Sequence, residues 1–451
     1  MAAIFPLNAI RYPQSKQTDL VAPPYDVLSG ADKQKLLARN PHNIVAVDLP
    51  HIPPKEAGPD AAYEAAATLL NDWLSSGVLK RDDKSALYAY RQTYTHAETT
   101  YKRRGFFGRV KLEEFGPAGF VHPHEQTFSG PKEDRLKLFR ATKANLSPVF
   151  GLYDDPDNDV TDLLFEAVAN AAPLASADLP AMDGKHVVTS ELWAVTDPAV
   201  IADVQKMMAD KHLYIADGHH RYTTSLNYRK EAGGGRILDA NDPINYALFV
   251  CIAMQDPGLI IMPTHRVLAA ADLEGFYLDK FREVAGAHMQ IIETKFKGDS
   301  LDRFEHELAG YGLHAMGVYD PIEDVALVIK PLSDDPLAAF SADPAMKDKS
   351  AAWRQLDVAI LQHMVFEKIV LPTFGKKGKA NTPGAMNYGF PHEAHEVTTM
   401  CRSGNYRVGF LLQPTPLTAV RDLCNANELM PQKSTFFYPK LATGMVINKL
   451  T

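Results

Sequence analysis

A short apolar segment that runs into a polar turn and a helix constrains the fold more than any other feature of this sequence. Residues 212–216 (HLYIA) have the composition of a buried strand, and residues 219–231 have that of a helix. Only Asp217 and Gly218 separate the two, so the strand ends and the helix begins within one tight turn. Such a turn directs the unpaired amide groups of the helix N-terminus outward.

The residues of this turn suit an anion. Gly218 lets the backbone approach a ligand closely, and the amides of a helix N-terminus favour negative charge. Arg221 can add a two-pronged contact to phosphate oxygens. A second interpretation stays open, in which Asp217 caps the helix, Gly218 only turns the chain, and the two following histidines pack or face solvent.

Strand-like and helical patterns alternate along the rest of the chain. An apolar stripe predicts a helix over residues 61–74, and residues 86–94 and 104–112 have the pattern of an antiparallel hairpin. The other main predicted elements are helices over 130–144 and 356–370 and strands over 246–254 and 259–262. We therefore predict a mixed α/β (α+β) fold.

Composition excludes several classes of protein. The chain has 451 residues, enough for two or more cores, and its formal net charge of −8 argues against a general nucleic-acid coat. The longest apolar runs reach about half of the roughly 20 residues that cross a bilayer, and the first residues lack the pattern of a signal peptide. The three cysteines form no CxxC pair. We therefore expect a cytoplasmic protein that binds neither membranes nor nucleic acids.

A second polar cluster lies in the segment VHPHEQT, residues 121–127, and at the start of the helix predicted after it. A carboxylate such as Glu125, placed beside His124, can accept a proton from an alcohol. Lys132 and Arg135 can meet phosphate near the first turn of that helix. The alternative interpretation is a solvated loop followed by an ordinary capped helix.

The C-terminal segment MPQKSTFFYPKLATG, residues 430–444, is the third candidate. Lys433 and Lys440 supply two cations, and Ser434 supplies a hydroxyl among aromatic residues. The segment can form one wall of a pocket for an anion. Equally, it can be a tail that packs through its aromatic side chains.

Several motifs, in one order along the chain, resemble the signatures of a single family. They are VAPPYDVLS, HPHEQTF with KEDRLKLF, NLSPVFGLY, ADGHHRYTTS and MPQKSTFFYPKLATG. Together they resemble the domain-of-unknown-function-1015 family over almost the whole chain. The DGHHR element also resembles the phosphate motif of the ParB/sulfiredoxin-like superfamily, in which free-serine kinases use a DGHHR turn to hold nucleotide phosphates.

The resemblance implies a small-molecule kinase that uses ATP or ADP, with Mg²⁺, to phosphorylate the hydroxyl of free L-serine and form O-phosphoserine. It makes Asp217 an acidic catalytic residue, and we assign Glu125 as the carboxylate that takes the serine proton. The residues implied to bind nucleotide phosphates are Gly218, His219, His220, Arg221 and Thr223. The residues expected to contact substrate or phosphate are His124, Lys132, Arg135, Asn145, His265, Arg266, Lys433, Ser434 and Lys440. No metal ligand is assigned.

The resemblance also implies a domain organisation. We predict a ParB/sulfiredoxin-like nucleotide-binding core over residues 116–270. It is preceded by an N-terminal α/β region with the hairpin over residues 1–115, and followed by a C-terminal α/β region over 271–451 whose tail completes the site.

Two other functions stay open at this point. One is a nucleotide-binding regulatory protein of ParB-like type without kinase turnover. The other is a metal-dependent hydrolase, although its residues meet no accepted ligand spacing. Its metal ligands would come from His122, His124, Glu125, Asp217, His219 and His220.

Overall fold

The computed structural model describes residues 3–125, 129–235, 238–340, 346–376 and 387–450. The chain divides into two compact units. Unit 1 comprises Met1–Ile260 together with Pro439–Thr451, and unit 2 comprises Ile261–Tyr438. The last residues of the chain therefore belong with its first part.

Strands and helices are interspersed along both units. The strands are β1 (Ile4–Phe5), β2 (Ile10–Arg11), β3 (Lys80–Arg81), β4 (Leu87–His96), β5 (Thr99–Lys111), β6 (Val121–Pro123), β7 (Ala144–Asn145), β8 (Val149–Tyr153), β9 (Ala175–Pro180), β10 (Val187–Val195), β11 (Leu213–Asp217), β12 (Tyr246–Ala253), β13 (Ile260–Met262), β14 (Arg266–Ala269), β15 (Met289–Glu293), β16 (Met316–Asp320), β17 (Val325–Pro331), β18 (Tyr388–Gly389), β19 (Tyr406–Leu411), β20 (Phe436–Tyr438) and β21 (Asn448–Lys449). The α-helices are α1 (Gly30–Arg39), α2 (Val45–Asp48), α3 (Asp60–Ser75), α4 (Ser129–Thr142), α5 (Asp159–Ala167), α6 (Pro198–Met208), α7 (His219–Gly233), α8 (Leu278–Ala285), α9 (Leu301–Leu308), α10 (Ala351–Arg354), α11 (Asp357–Ile360), α12 (Leu371–Phe374), α13 (Ala394–Arg402) and α14 (Leu417–Asn425).

A large mixed sheet organises unit 1. Its strands are ordered β6-β11-β8-β12-β5-β4-β10-β9, and β1 pairs with β5. Strand β12 lies in the middle and is buried along its whole length, which explains its unbroken apolar sequence. Strands β4 and β5 form the predicted antiparallel hairpin, and strands from both sides of residue 115 share this sheet.

Helices and the C-terminal tail pack around the sheet of unit 1. Helix α4 packs on α7 and on α3, and Phe139 meets Tyr228 edge to face, with ring centroids 4.9 Å apart. A separate apolar cluster of the N-terminal segment includes Tyr63, Trp73 and Ile447. Strand β21 pairs antiparallel with β7, so the tail is anchored at the start of β8.

Unit 2 has its own sheet and core. Its strands are ordered β15-β17-β16-β19-β14-β18. The core contains Phe304, Val397 and Leu411, which come from α9, α13 and β19. The predicted helix 356–370 is observed as α11 followed by a π-helix, Leu361–Val370.

The structure confirms the predicted mixed α/β class. It also confirms the helix predicted over 61–74, which is α3, and the strand predicted over 246–254, which is β12. Among the described residues, none of the helices combines the length and the apolar character needed to span a membrane.

Candidate functional site

Three of the sequence motifs meet at one edge of the sheet of unit 1. Strands β6 and β11 are parallel neighbours. His124-Glu125, which follow β6, and Asp217-Gly218, at the C-terminal end of β11, therefore emerge at the same edge. Strand β8 runs antiparallel to β11 and therefore begins at this edge. The strand order thus brings the HPHE, DGHHR and NLSP segments together.

The turn after β11 requires glycine. Gly218 is the N-cap residue of α7, with φ 89°, and α7 has no side-chain cap hydrogen bond. A Cβ atom at this position would lie 2.9 Å from Nε of Arg221. The carboxylate of Asp217 accepts a hydrogen bond from the Gly218 amide at 2.7 Å instead of capping the helix, so the capping interpretation of Asp217 is wrong.

Two cations flank the Asp217 carboxylate. Lys440 Nζ lies 3.1 Å from Oδ2, and Arg221 Nη2 lies 3.5 Å from Oδ1. Arg221 also donates a hydrogen bond to the carbonyl of Pro148, at the start of β8. These contacts hold two positive side chains beside an uncapped helix N-terminus, so positive charge dominates the turn.

The pKa of Asp217 responds to both burial and these cations. Burial alone would raise the pKa of this carboxyl, but Lys440, Arg221 and the hydrogen bonds that Asp217 accepts hold it well below its ordinary value. Asp217 is therefore a carboxylate at any physiological pH. For the same reason it is a weak base.

The histidines of the two motifs pack against each other. The ring of His124 meets that of His219 edge to face, with centroids 4.7 Å apart, and the His124 amide donates to Nε2 of His219 at 3.3 Å. Burial, with a smaller contribution from His124, lowers the pKa of His219 to about 3. Burial likewise lowers the pKa of His220 to about 4. Both are neutral near pH 7.

Glu125 lies beside this histidine pair. Its Oε1 is 3.6 Å from Nε2 of His124. Nδ1 of His124 bonds the carbonyl of Ile215 at 2.6 Å, and since a carbonyl only accepts, Nδ1 carries the proton. The His124 ring is thus fixed between β11 and Glu125. Gln126 and Thr127 of the same motif lie outside the described residues.

The other residues of unit 1 that were predicted to contact substrate or phosphate lie around the turn, and each makes a different interaction. Arg135 is buried and donates to the backbone carbonyl of Asp48 at 2.7 Å. Asn145 bridges strands by accepting from the Leu248 amide at 3.2 Å. Thr223 donates to the His219 carbonyl within α7. Lys132, on α4, acts electrostatically on His220.

Four of the residues predicted to contact substrate or phosphate, His265, Arg266, Lys433 and Ser434, lie in unit 2. The hydrogen bonds given below join them to other residues of that unit. The Arg266 guanidinium donates to backbone carbonyls, among them that of Lys433 at 3.0 Å. Nδ1 of His265 accepts from the Leu412 amide at 3.1 Å. Ser434 donates to the Pro431 carbonyl. Their roles as substrate contacts stay predictions.

Sequence reasoning singled out Arg135 but missed the buried charged cluster around it. Arg135 ion-pairs with Asp134 and with Asp48, and its guanidinium lies 3.9 Å from the ring centroid of Tyr25. Tyr25 belongs to the VAPPYDVLS motif, and its place in the family signature was the available signal for this residue. The motif has no catalytic pattern of its own.

The described residues do not form a metal centre built by the protein. Within the ranges that the structure describes, no group of three or more His, Cys, Asp or Glu side chains is placed to hold a metal ion. This removes the geometric support for the metal-hydrolase alternative.

Mg²⁺ in proteins is normally held by one or two carboxylates together with substrate phosphates. The carboxylate of Asp217 already pairs with two cations, Arg221 and Lys440.

The fold and this turn define a mixed α/β protein with a candidate phosphate-binding strand-turn-helix. The chain belongs to the family described as "Protein of unknown function (DUF1015)", which it matches over residues 4–359. No curated protein matches the sequence.

Several solved structures are similar to this chain. A free serine kinase mutant in complex with AMP has 11% identity and a TM-score of 0.32, over 72% of this chain and 89% of that chain. A C-terminally truncated SbnI from Staphylococcus aureus has 10% identity and a TM-score of 0.34, over 75% of this chain and 86% of that chain. A conserved hypothetical protein from Pyrococcus furiosus has 13% identity and a TM-score of 0.31, over 73% and 92%. Similarity at this level does not assign a function.

Proposed function

We propose that this protein is a kinase that transfers a phosphoryl group from ATP or ADP to the hydroxyl of free L-serine, forming O-phosphoserine. The observation that carries the proposal is the Gly218 turn. There an uncapped helix N-terminus, Arg221 and Lys440 surround one carboxylate. This is the arrangement that a nucleotide polyphosphate requires.

Charge placement supports this assignment. Phosphoryl transfer depends on positioning and on stabilising the negative charge that develops on the transferred group. Arg221 and Lys440 come from different parts of the chain, and Asp217 fixes both of them before any ligand arrives. Cations held in advance do not have to reorganise during the reaction.

Glu125 is the group that we assign as proton acceptor. Asp217 is too weakly basic, because its neighbouring cations keep its pKa far below the ordinary value. Glu125 leaves the parallel strand next to β11 and so reaches the same edge of the sheet. In the proposed step the serine hydroxyl gives its proton to Glu125, its oxygen bonds to the terminal phosphorus, and the bond from that phosphorus to the nucleotide breaks.

The neutral histidines act as hydrogen-bond donors in this proposal. Nε2 of His219 accepts from the His124 amide, so the proton of a neutral His219 resides on Nδ1. Neutral donors of this kind add no charge to the Gly218 turn. Mg²⁺ stays a predicted cofactor that arrives with the nucleotide, and no step described above passes through it.

The direct test is to incubate the purified protein with ATP or ADP, Mg²⁺ and L-serine and to detect O-phosphoserine by phosphorus NMR. Glu125→Gln is expected to lower kcat by about 100-fold or more, as expected for loss of a general base. Glu64→Gln, on the exposed surface of α3, is the matched control and is expected to behave as wild type. The kinase proposal is refuted if no phosphoserine forms with ATP and none forms with ADP.

The regulatory alternative has a distinct result. A regulatory protein would bind nucleotide in calorimetry, with no product and a change in oligomeric state. The same purified protein can be used to measure both phosphoserine formation and nucleotide binding.

A further inference from the structure

A small, partly open cavity lies beside the Gly218 turn. It measures about 40 Å³, and Arg221 belongs to its lining as well as to the turn. A buried water needs about 10–15 Å³ on this scale, so the cavity has room for about three water-sized groups. A nucleobase or a sugar is far larger than this space, whereas the head of a small amino acid is comparable in size.

The cavity lining combines both signs of charge with hydroxyl groups. The polar residues are Asp48, Arg135, Asn145, Ser147, Arg221 and Thr224, and apolar side chains including Leu138 and Phe139 close the rest. Asp48 and Arg135 are 4% and 5% exposed. Charges enclosed in this way interact more strongly with a ligand than they would in water.

The hydroxyl of Thr224 is buried and lacks a hydrogen-bond partner among the described residues. Its side chain is 2% exposed, and its Oγ1 has no hydrogen-bond partner among the residues that the structure describes. Helical threonines elsewhere in the chain bond a carbonyl or a neighbouring hydroxyl, as Thr142 and Thr161 do. A buried hydroxyl without a partner costs free energy, and a bound ligand would supply the partner.

The carboxylates around Arg135 are short of positive charge. Arg135 is shared between Asp48 and Asp134. Oδ1 of Asp26, on the short 3₁₀ helix Tyr25–Val27, is also buried and has no hydrogen-bond partner within the described part of the chain. Burial raises the pKa of Asp48 in spite of Arg135 and Arg221, and Asp134 and Asp26 raise it further. A positively charged ligand group would relieve this repulsion.

We propose that this cavity is the acceptor subsite, which binds the head of a small hydroxy amino acid through both of its charges. Asp48 takes the ammonium group, while the Thr224 hydroxyl donates a hydrogen bond to the carboxylate. This proposal rests on the proposed kinase function and extends it, because it names the residues that select a zwitterionic acceptor. An acceptor that lacks either charge binds poorly, and a large acceptor is excluded by size.

Steady-state kinetics of the full-length chain test this subsite. Thr224→Val keeps the shape of the side chain and removes the hydroxyl, and it is expected to raise KM for L-serine about 10-fold or more, since it removes a hydrogen bond to a charged group. The KM for nucleotide and kcat are expected to stay within two-fold. Thr161→Val, a buried helical threonine of α5 away from the cavity, is the matched control. If Thr224→Val leaves the serine KM within two-fold while wild type makes phosphoserine, the subsite is wrong and the kinase stands.

Substrate analogues separate the two charges. Ethanolamine lacks the carboxylate and 3-hydroxypropionate lacks the ammonium group, and both are expected to have a KM at least 10-fold above that of serine. Inorganic phosphate is the probe for a purely anionic site. If it competes with serine and the competition weakens in Thr224→Val, the cavity is an anion site and the zwitterion proposal falls.

Calorimetry keeps the proposal testable where turnover fails. L-Serine is expected to bind the wild-type chain and to bind Asp48→Asn at least 10-fold more weakly. The Asp48→Asn protein is first checked for a native circular dichroism spectrum, and Thr224→Val replaces it if it does not fold. No serine binding by wild type overturns the subsite, whether or not nucleotide binds.

Discussion

Lys440 places its Nζ 3.1 Å from Oδ2 of Asp217, so the C-terminal tail supplies one of the two cations at the Gly218 turn. The tail is tied back to unit 1 by the pairing of β21 with β7. The turn is therefore complete only when the last residues of the chain are in place.

Lys440→Met is expected to weaken nucleotide binding by about 10- to 100-fold, because it removes one of the two cations that face the phosphates. Calorimetric titration with ADP measures the effect. Lys80→Met, on the exposed strand β3, is the control and should bind as wild type does. Equal affinity of Lys440→Met and wild type would show that the Lys440–Asp217 pair is purely structural.

Gly218→Ala combines backbone strain with a clash. An alanine at φ 89° is strained by about 1–2 kcal/mol, and its Cβ would displace the Arg221 guanidinium. We expect loss of both stability and nucleotide binding. Gly234→Ala, at the other end of α7 with φ 53° and open space around it, should lose similar stability and retain binding. Chemical denaturation and calorimetry distinguish the two variants.

The lowered pKa values of His219 and His220 lead to a prediction for how the free energy of unfolding depends on pH. His219 and His220 stay neutral in the folded protein down to pKa values of about 3 and 4, whereas in the unfolded chain they titrate near 6.5. The unfolded chain therefore binds more protons between these values, so the free energy of unfolding falls as the pH falls from 6.5 toward 4. Each histidine contributes about 1.4 kcal/mol per pH unit in this window.

Denaturant titrations at pH 7 and pH 5 measure this slope. His219→Gln should reduce the loss by about 2 kcal/mol, because it removes one of the titrating groups. His288→Gln, at an exposed position in unit 2, should leave the loss unchanged. A loss that is the same in wild type and in His219→Gln would contradict the neutral, buried state of that ring.

Arg135 and Arg140 both lie on helix α4. Substituting each of them compares the contribution of a buried ion pair to stability with that of an exposed one. Arg135 is enclosed by Asp48, Asp134 and the ring of Tyr25, so Arg135→Lys should destabilise the fold by about 2–4 kcal/mol. Arg140 pairs with Glu231 at the surface, with 43% of its side chain exposed, so Arg140→Lys should cost less than about 1 kcal/mol. Thermal unfolding followed by circular dichroism compares the two, and similar losses would refute a special role for the buried cluster.

Much of the local structure could be read from the sequence. The apolar stripe of α3, the hairpin of β4 and β5, and the strand-turn-helix at Gly218 were all predicted from spacing, and the structure contains them. The expectation that Gly218 lets a ligand approach the backbone stays a prediction. The structure gives a separate reason for glycine at this position, namely its positive φ and the lack of space for a Cβ beside Arg221.

The pairing of distant segments was beyond sequence reasoning. Nothing in the pattern of residues 121–123 states that this strand lies parallel to β11, yet that pairing places Glu125 at the edge where Asp217 emerges. Likewise, no spacing rule joins Asp48 and Tyr25 to Arg135, or places Thr224 in the lining of a cavity.

The sequence by itself determined the α/β class, the family signature and the turn at Asp217-Gly218, because periodicity and turn chemistry act among neighbouring residues. Only the tertiary structure decided that Lys440 and Arg221 share one carboxylate, and that a polar cavity lies behind them. Strand order and the return of the tail set those distances, and both depend on the packing of the whole unit rather than on local preference.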